Sequence, residues 1–118
     1  MRGEDLILVV DDDEDIRITL SEVLENAGYS VASAANGEEA LLLLRSGSIP
    51  RLILLDLMMP RMNGYQFRAA QREDPTLATI PIVILTAGAA QPDELEPLAV
   101  VRKPFNVKRL LATIEPLC

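Results

Sequence analysis

Four separated apolar runs in this chain each give way to a polar residue that could do chemistry. Leu6-Ile7-Leu8-Val9-Val10 runs into Asp11-Asp12-Asp13, and Leu52-Ile53-Leu54-Leu55 into Asp56. Pro81-Ile82-Val83-Ile84-Leu85 meets Thr86, and Val100-Val101-Arg102 meets Lys103. If the runs are parallel strands of one sheet, their C-terminal ends share an edge, where open α/β sheets bind ligands. Asp11, Asp12 and Asp56 against Lys103 leave that edge two charges negative. Two carboxylates ~4 Å apart repel by about 4 kcal/mol at an effective dielectric near 20, so a divalent cation is called for. An all-oxygen, shallow donor set without EF-hand spacing suits Mg²⁺.

Beside such an ion a carboxylate can be a nucleophile toward a phosphoryl group. Phosphoryl transfer asks for alignment and charge stabilisation: the ion on one equatorial oxygen, Lys103 on a second, and the Thr86 hydroxyl with a backbone N–H on the third. Asp56 is the better nucleophile, since Asp11 and Asp12 are neighbours on one strand end and better placed to hold the ion. Asp56 also sits at the rim of a buried strand, where a charge has little other reason to be. Asp13 and Asp15 read instead as first-turn acids that cap and complement a helix.

The elements that must position these residues follow from periodicity. Leu6–Val10 is too short and too uniformly aliphatic for an amphipathic helix and reads as a buried strand. Ile16, Leu20, Val23, Leu24 and Ala27 draw one helical stripe that Gly28 closes. Tyr29–Ala34 reads as an edge strand, and Asn36 with Glu39 as a capping-box-like start for a helix over Gly37–Ser46. Asn63-Gly64 opens a third helix toward Glu73. Pro92 and Pro97 allow only a turn or two between Ala87 and Ala99. Asn106 caps a last helix faced by Leu110, Leu111 and Ile114, with Pro116 beyond its end. Strand and helix thus alternate five times, which implies parallel pairing with helices on both faces.

Composition bounds the rest. The 118 residues suit one domain over 1–118, and a net charge of −7 disfavours direct nucleic-acid binding. With no histidine, the chain carries no imidazole acid–base chemistry or imidazole metal ligand. The lone Cys118 permits no internal disulfide, and no run is long enough to cross a membrane, so a soluble cytoplasmic protein is expected.

The pattern resembles the receiver domain of bacterial two-component response regulators over essentially the whole chain. The residues carrying the match are Leu8-Val9-Val10-Asp11-Asp12-Asp13, Leu54-Leu55-Asp56-Leu57-Met58-Met59-Pro60 with Met62-Asn63-Gly64, Leu85-Thr86-Ala87 and Lys103-Pro104-Phe105. The resemblance implies a doubly wound, flavodoxin-like (βα)5 sheet of order 2-1-3-4-5. It also implies Asp56 as phosphoacceptor, and Mg²⁺ held by Asp11, Asp12, Asp56 and the Met58 backbone carbonyl, with Asp12 the direct ligand of the acidic pair. Thr86 and Lys103 become the contacts to the phosphoryl oxygens, and the Lys103-Pro104 bond is cis. A sensor histidine kinase or histidine phosphotransfer protein would donate the phosphoryl group, and a downstream effector or a homodimer would read it out. Met58 and Gly88 stand at the positions, two after the acceptor and two after the threonine, whose residue identities tune phosphoryl lifetime in that family.

Two features depart from the family. An aromatic residue usually stands three positions before the active-site lysine, and here that position is Val100. The segment between Thr86 and Lys103 is also short, so the fourth helix is expected to be cut down. Either signal output is altered or the shortening is neutral. Three rivals remain to be weighed: an unphosphorylated receiver-like interaction module, an aspartyl-phosphate hydrolase and a flavodoxin-like cofactor binder. The hydrolase normally carries an acid–base aspartate where Met58 stands, and three aspartates in the first loop would repel a nucleotide phosphate. Of the apolar features, Leu41–Leu44 reads as core plus one exposed leucine, and Met58 and Met59 as packing around the site.

Overall fold

The computed structural model describes residues 6–47, 49–87 and 93–117. Its elements are β1 (Leu6–Val10), α1 (Glu14–Asn26), β2 (Ser30–Ala34), α2 (Gly37–Arg45), β3 (Leu52–Asp56), α3 (Gly64–Glu73), β4 (Ile82–Ala87), β5 (Ala99–Lys103) and α4 (Val107–Ile114). Short 3-10 turns occupy Asp93–Leu95 and Glu115–Leu117. All strand pairs are parallel and the order is β2-β1-β3-β4-β5.

Every strand side chain of β1 is buried because the sheet is covered on both faces. Successive residues alternate between two cores. Leu8, Val10, Ile53 and Leu55 pack with Ala40, Leu41, Leu44 and Phe67 under α2 and α3. Ile7, Val9, Leu52, Leu54, Val83 and Leu85 pack with Leu20, Leu24, Leu110 and Ile114 under α1 and α4. In β1, β3 and β4 the polar side chains therefore fall only at the strand ends, and the register sets which ends meet.

Caps fix the helix starts. Asp13 accepts from the amides of Asp15 and Ile16, Asn36 from Glu39, and Asn106 from Lys108 and Arg109. Asn63 and Gln66 form a reciprocal capping box. Gly28 ends α1 at φ +101°, a backbone state that side chains disfavour.

The sequence expectations hold for the fold, with two corrections, at the leucine run and at Met58. Pro116 lies past the end of α4 as expected, inside the 3-10 turn Glu115–Leu117. Leu41 and Leu44 are buried, but both Leu42 and Leu43 reach the surface, because four consecutive residues span more than the covered arc of α2. Met59 is buried, whereas Met58 is 71% exposed and points largely into solvent. The shortened fourth helix is a single 3-10 turn among the described residues, while Pro92 and Gly88 lie outside them.

That turn is fastened from α3. Arg68 is buried, and its guanidinium donates to the Leu95 carbonyl at 3.0 Å and to Gln71 at 2.9 Å. Gln71 in turn donates to the carbonyls of Leu77 and Ile80. Arg72 donates to the Glu94 carbonyl and pairs with Glu96. Burial, and then the neighbouring charge of Arg72, hold Arg68 below its ordinary pKa.

Candidate functional site

The ends of β1, β3, β4 and β5 build one site. Asp11 follows β1, and its amide donates to the Ala34 carbonyl at the end of β2. Its carboxylate is fully buried with both oxygens engaged: Oδ1 accepts from the Asp13 amide at 2.9 Å, and Oδ2 from the Lys103 ammonium at 2.7 Å. Asp12, next along the turn, is exposed. Asp56 is the last residue of β3, only 4% exposed, and accepts from the Met58 amide at 3.3 Å. Lys103 reaches it at 3.5 Å.

Gly64 lets α3 begin against this strand end. A Cβ there would lie 2.7 Å from the Asp56 carbonyl oxygen and 2.9 Å from the Leu57 Cα. The Gly64 amide instead donates to the Leu57 carbonyl. Close approach of this kind holds the Asp56 backbone rigid.

Asp56 pairs in register with Leu85 on β4, so Thr86 stands one residue beyond its strand partner. The Thr86 side chain is buried and its hydroxyl donates to the Ala87 carbonyl at 3.2 Å. Ala87 is in register with Lys103. The Lys103-Pro104 bond is cis.

Oxygens of Asp11, Asp12 and Asp56 all lie within 4.8 Å of one another. This donor set is made of hard carboxylate oxygens, with a net charge of −2 after Lys103 is counted, and it fits a divalent cation with oxygen preference. Burial above all, then the neighbouring charge of Asp11, pushes the Asp56 carboxyl up to about 6, against the pull of Lys103. Burial opposes the charge on Lys103, but the hydrogen bond to Asp11 and the charges of Asp11 and Asp56 outweigh it and raise its pKa.

Sequence reasoning placed Asp11, Asp12, Asp56 and Lys103 together, and the structure brings the three carboxylates within 4.8 Å of one another with Lys103 paired to Asp11 and Asp56. It missed Arg17, whose guanidinium donates to the Asp11 carbonyl at 2.6 Å. The available signal was a lone cation inside the acidic run Asp11–Asp15 and the helix it opens, one and a half turns on from the site.

A family model described as the response regulator receiver domain matches residues 7–115. A protein named "Probable transcriptional regulator ycf27" from Pyropia yezoensis is 42% identical over 113 residues, covering 92% of this chain and 45% of its own length. Response regulator Rre1 of Synechocystis is 35% identical over 117 residues, covering 94% of this chain and 50% of its own. The chain thus spans about half the length of these curated relatives. Among solved structures, the chemotaxis response regulator CheY4 of Vibrio cholerae is similar at a TM-score of 0.85 and 31% identity, covering 98% of this chain and 99% of that one. The signal receiver domain of a signal transduction histidine kinase from Syntrophus aciditrophicus also gives 0.85 and 31%, over 96% of this chain and 89% of that one.

Proposed function

The chain belongs to the response regulator receiver domain family, and from that premise we propose that Asp56 is its phosphoacceptor in a Mg²⁺-dependent two-component phosphorelay. The observation that carries this reading is the convergence of Asp11, Asp12 and Asp56 within 4.8 Å, with Lys103 bridging two of them. Receiver domains act as phosphorylation switches, and the named relatives are regulators.

Asp12, Asp56 and the Met58 backbone carbonyl would hold the ion directly, with Asp11 completing the acidic set. Mg²⁺, when bound, draws charge from a phosphoryl oxygen and keeps Asp56 ionised at neutral pH. An Asp56 carboxylate oxygen attacks phosphorus, and the bond from phosphorus to the donor breaks. With a phosphohistidine donor the imidazole nitrogen leaves with the electron pair and is protonated by solvent. The product is an acyl phosphate on Asp56. Lys103 exchanges part of its bond to Asp11 for one phosphoryl oxygen, and the Thr86 hydroxyl leaves the Ala87 carbonyl for another. Water attack at phosphorus later returns the carboxylate and inorganic phosphate.

The partners on this reading are a histidine kinase or histidine phosphotransfer protein and a downstream effector. One observation weighs against a hydrolase acting on external substrates: Met58, whose side chain offers no proton-transfer group, stands where its acid–base aspartate would be. The test is intact-mass analysis after incubation with acetyl phosphate and Mg²⁺. Wild type should gain one phosphoryl group and Asp56→Ala none; gain in neither would favour the unphosphorylated interaction module.

A further inference from the structure

Asp11 is held at four points. Its amide bonds Ala34, its two carboxylate oxygens bond the Asp13 amide and Lys103, and its carbonyl accepts from Arg17. The first three follow from the sheet, the turn and the known site. The fourth does not. The Asp11 carbonyl belongs to the peptide unit that joins Asp11 to Asp12, so whatever fixes that oxygen also fixes the plane from which the Asp12 Cα and its carboxylate project.

Arg17 is the residue able to do this. Asp13 caps α1 and the Arg17 amide bonds the Asp13 carbonyl, so the first turn is rigid up to the arginine. Its side chain is half-buried, runs back toward the helix start as helical side chains do, and ends 2.6 Å from the carbonyl. At that distance the bond is a strong, charge-assisted one. We propose that Arg17 is a positioning residue for the cation site: by clamping the Asp11 carbonyl it turns the Asp12 carboxylate toward Asp56 while Asp11 stays occupied by Lys103. This rests on the metal-dependent reading above.

Charge and geometry predict opposite signs, which makes the inference sharp. Arg17 brings a positive charge toward a cation site, so by Coulomb's law alone its removal should tighten Mg²⁺ binding. If it positions Asp12, removal should weaken binding in spite of the lost repulsion. Mg²⁺ affinity is to be measured by calorimetry on wild type, Arg17→Ala and Arg17→Lys, with the unfolding midpoint and the Asp12 and Asp13 amide shifts recorded without metal. The expected result is a Kd raised about tenfold in Arg17→Ala, with shifted Asp12 and Asp13 amides and a cooperative unfolding transition retained. Arg17→Lys, which retains a donor on a long stem, should recover part of the loss. An unchanged or tighter Kd in Arg17→Ala, with wild type binding normally, overturns the positioning role and leaves the phosphoacceptor reading standing. Absence of Mg²⁺ binding by wild type overturns both.

Discussion

The Lys103 ammonium lies 2.7 Å from Asp11 and 3.5 Å from Asp56, so the one lysine of the site is bound to the acidic turn more closely than to the end of β3. Lys103 offsets the charge of a fully buried Asp11. On the proposed phosphoacceptor reading, it would then have to shift a short distance to meet the new phosphoryl oxygens. Its side chain is only 17% exposed, so the pair is shielded from water on both sides.

Removing the ammonium therefore leaves Asp11 buried without its counter-charge. Lys103→Met is expected to lose about 2–3 kcal/mol of stability in metal-free buffer, read by urea unfolding at pH 7. Mg²⁺ should restore a good part of that loss, since the ion supplies the missing positive charge. A variant as stable as wild type without metal would show that the ion pair contributes nothing.

Asp56 makes stability depend on pH. Its pKa is about 6 in the folded metal-free protein and near 3.8 in the unfolded chain, so the folded state holds the extra proton between those values. Stability from this group is fully present below about pH 4 and is lost as pH rises through about 6, by at most about 3 kcal/mol. Asp56→Asn, which cannot titrate, should remove this component of the slope. Denaturant midpoints measured from pH 4 to pH 8 in the presence of a chelator would show the difference, and parallel profiles for the two proteins would refute it.

Gly64 has no room for a methyl group, because the nearest atoms are backbone: the Asp56 carbonyl oxygen at 2.7 Å and the Leu57 Cα at 2.9 Å. Gly64→Ala should cost about 1–3 kcal/mol and displace the acceptor strand end. Phosphorylation by acetyl phosphate should slow in the same variant even at temperatures where it is fully folded. Unaltered kinetics would mean that β3 tolerates the shift.

Arg68 ties the turn after β4 to α3 through the Leu95 carbonyl. Arg68→Met leaves that carbonyl and Gln71 short of a donor and should cost about 2 kcal/mol. Amide exchange over residues 93–98 should then speed up more than exchange in β1 or β3. With Val100 offering no aromatic relay, phosphorylation of the wild type is expected to move amides of 93–101 less than those beside Asp56; comparable shifts in both regions would show an ordinary output.

Strand ends were legible in the sequence because a doubly covered sheet needs unbroken aliphatic runs, and each run stops where Asp11, Asp56, Thr86 or Lys103 begins. Caps were legible for the same local reason, as at Asn63 and Asn106. What lay hidden was long-range: Arg68 reaches Leu95 across 27 residues, and no periodicity marks a buried arginine whose partners are a carbonyl and a glutamine. Met58 was misjudged because hydrophobicity alone does not say which way a loop side chain points. Leu43 surfaced for a related reason, since a run of four leucines carries no phase.

The central claim is that one carboxylate, Asp56, becomes the acyl phosphate. Borohydride reduces an acyl phosphate to a primary alcohol, so phosphorylated protein treated this way and mapped by peptide mass spectrometry reports the modified side chain directly. The account predicts homoserine at position 56, dependent on Mg²⁺ and on prior phosphodonor treatment. Reduction at Asp11 or Asp12, or at no position in protein that has gained a phosphoryl group, would contradict it.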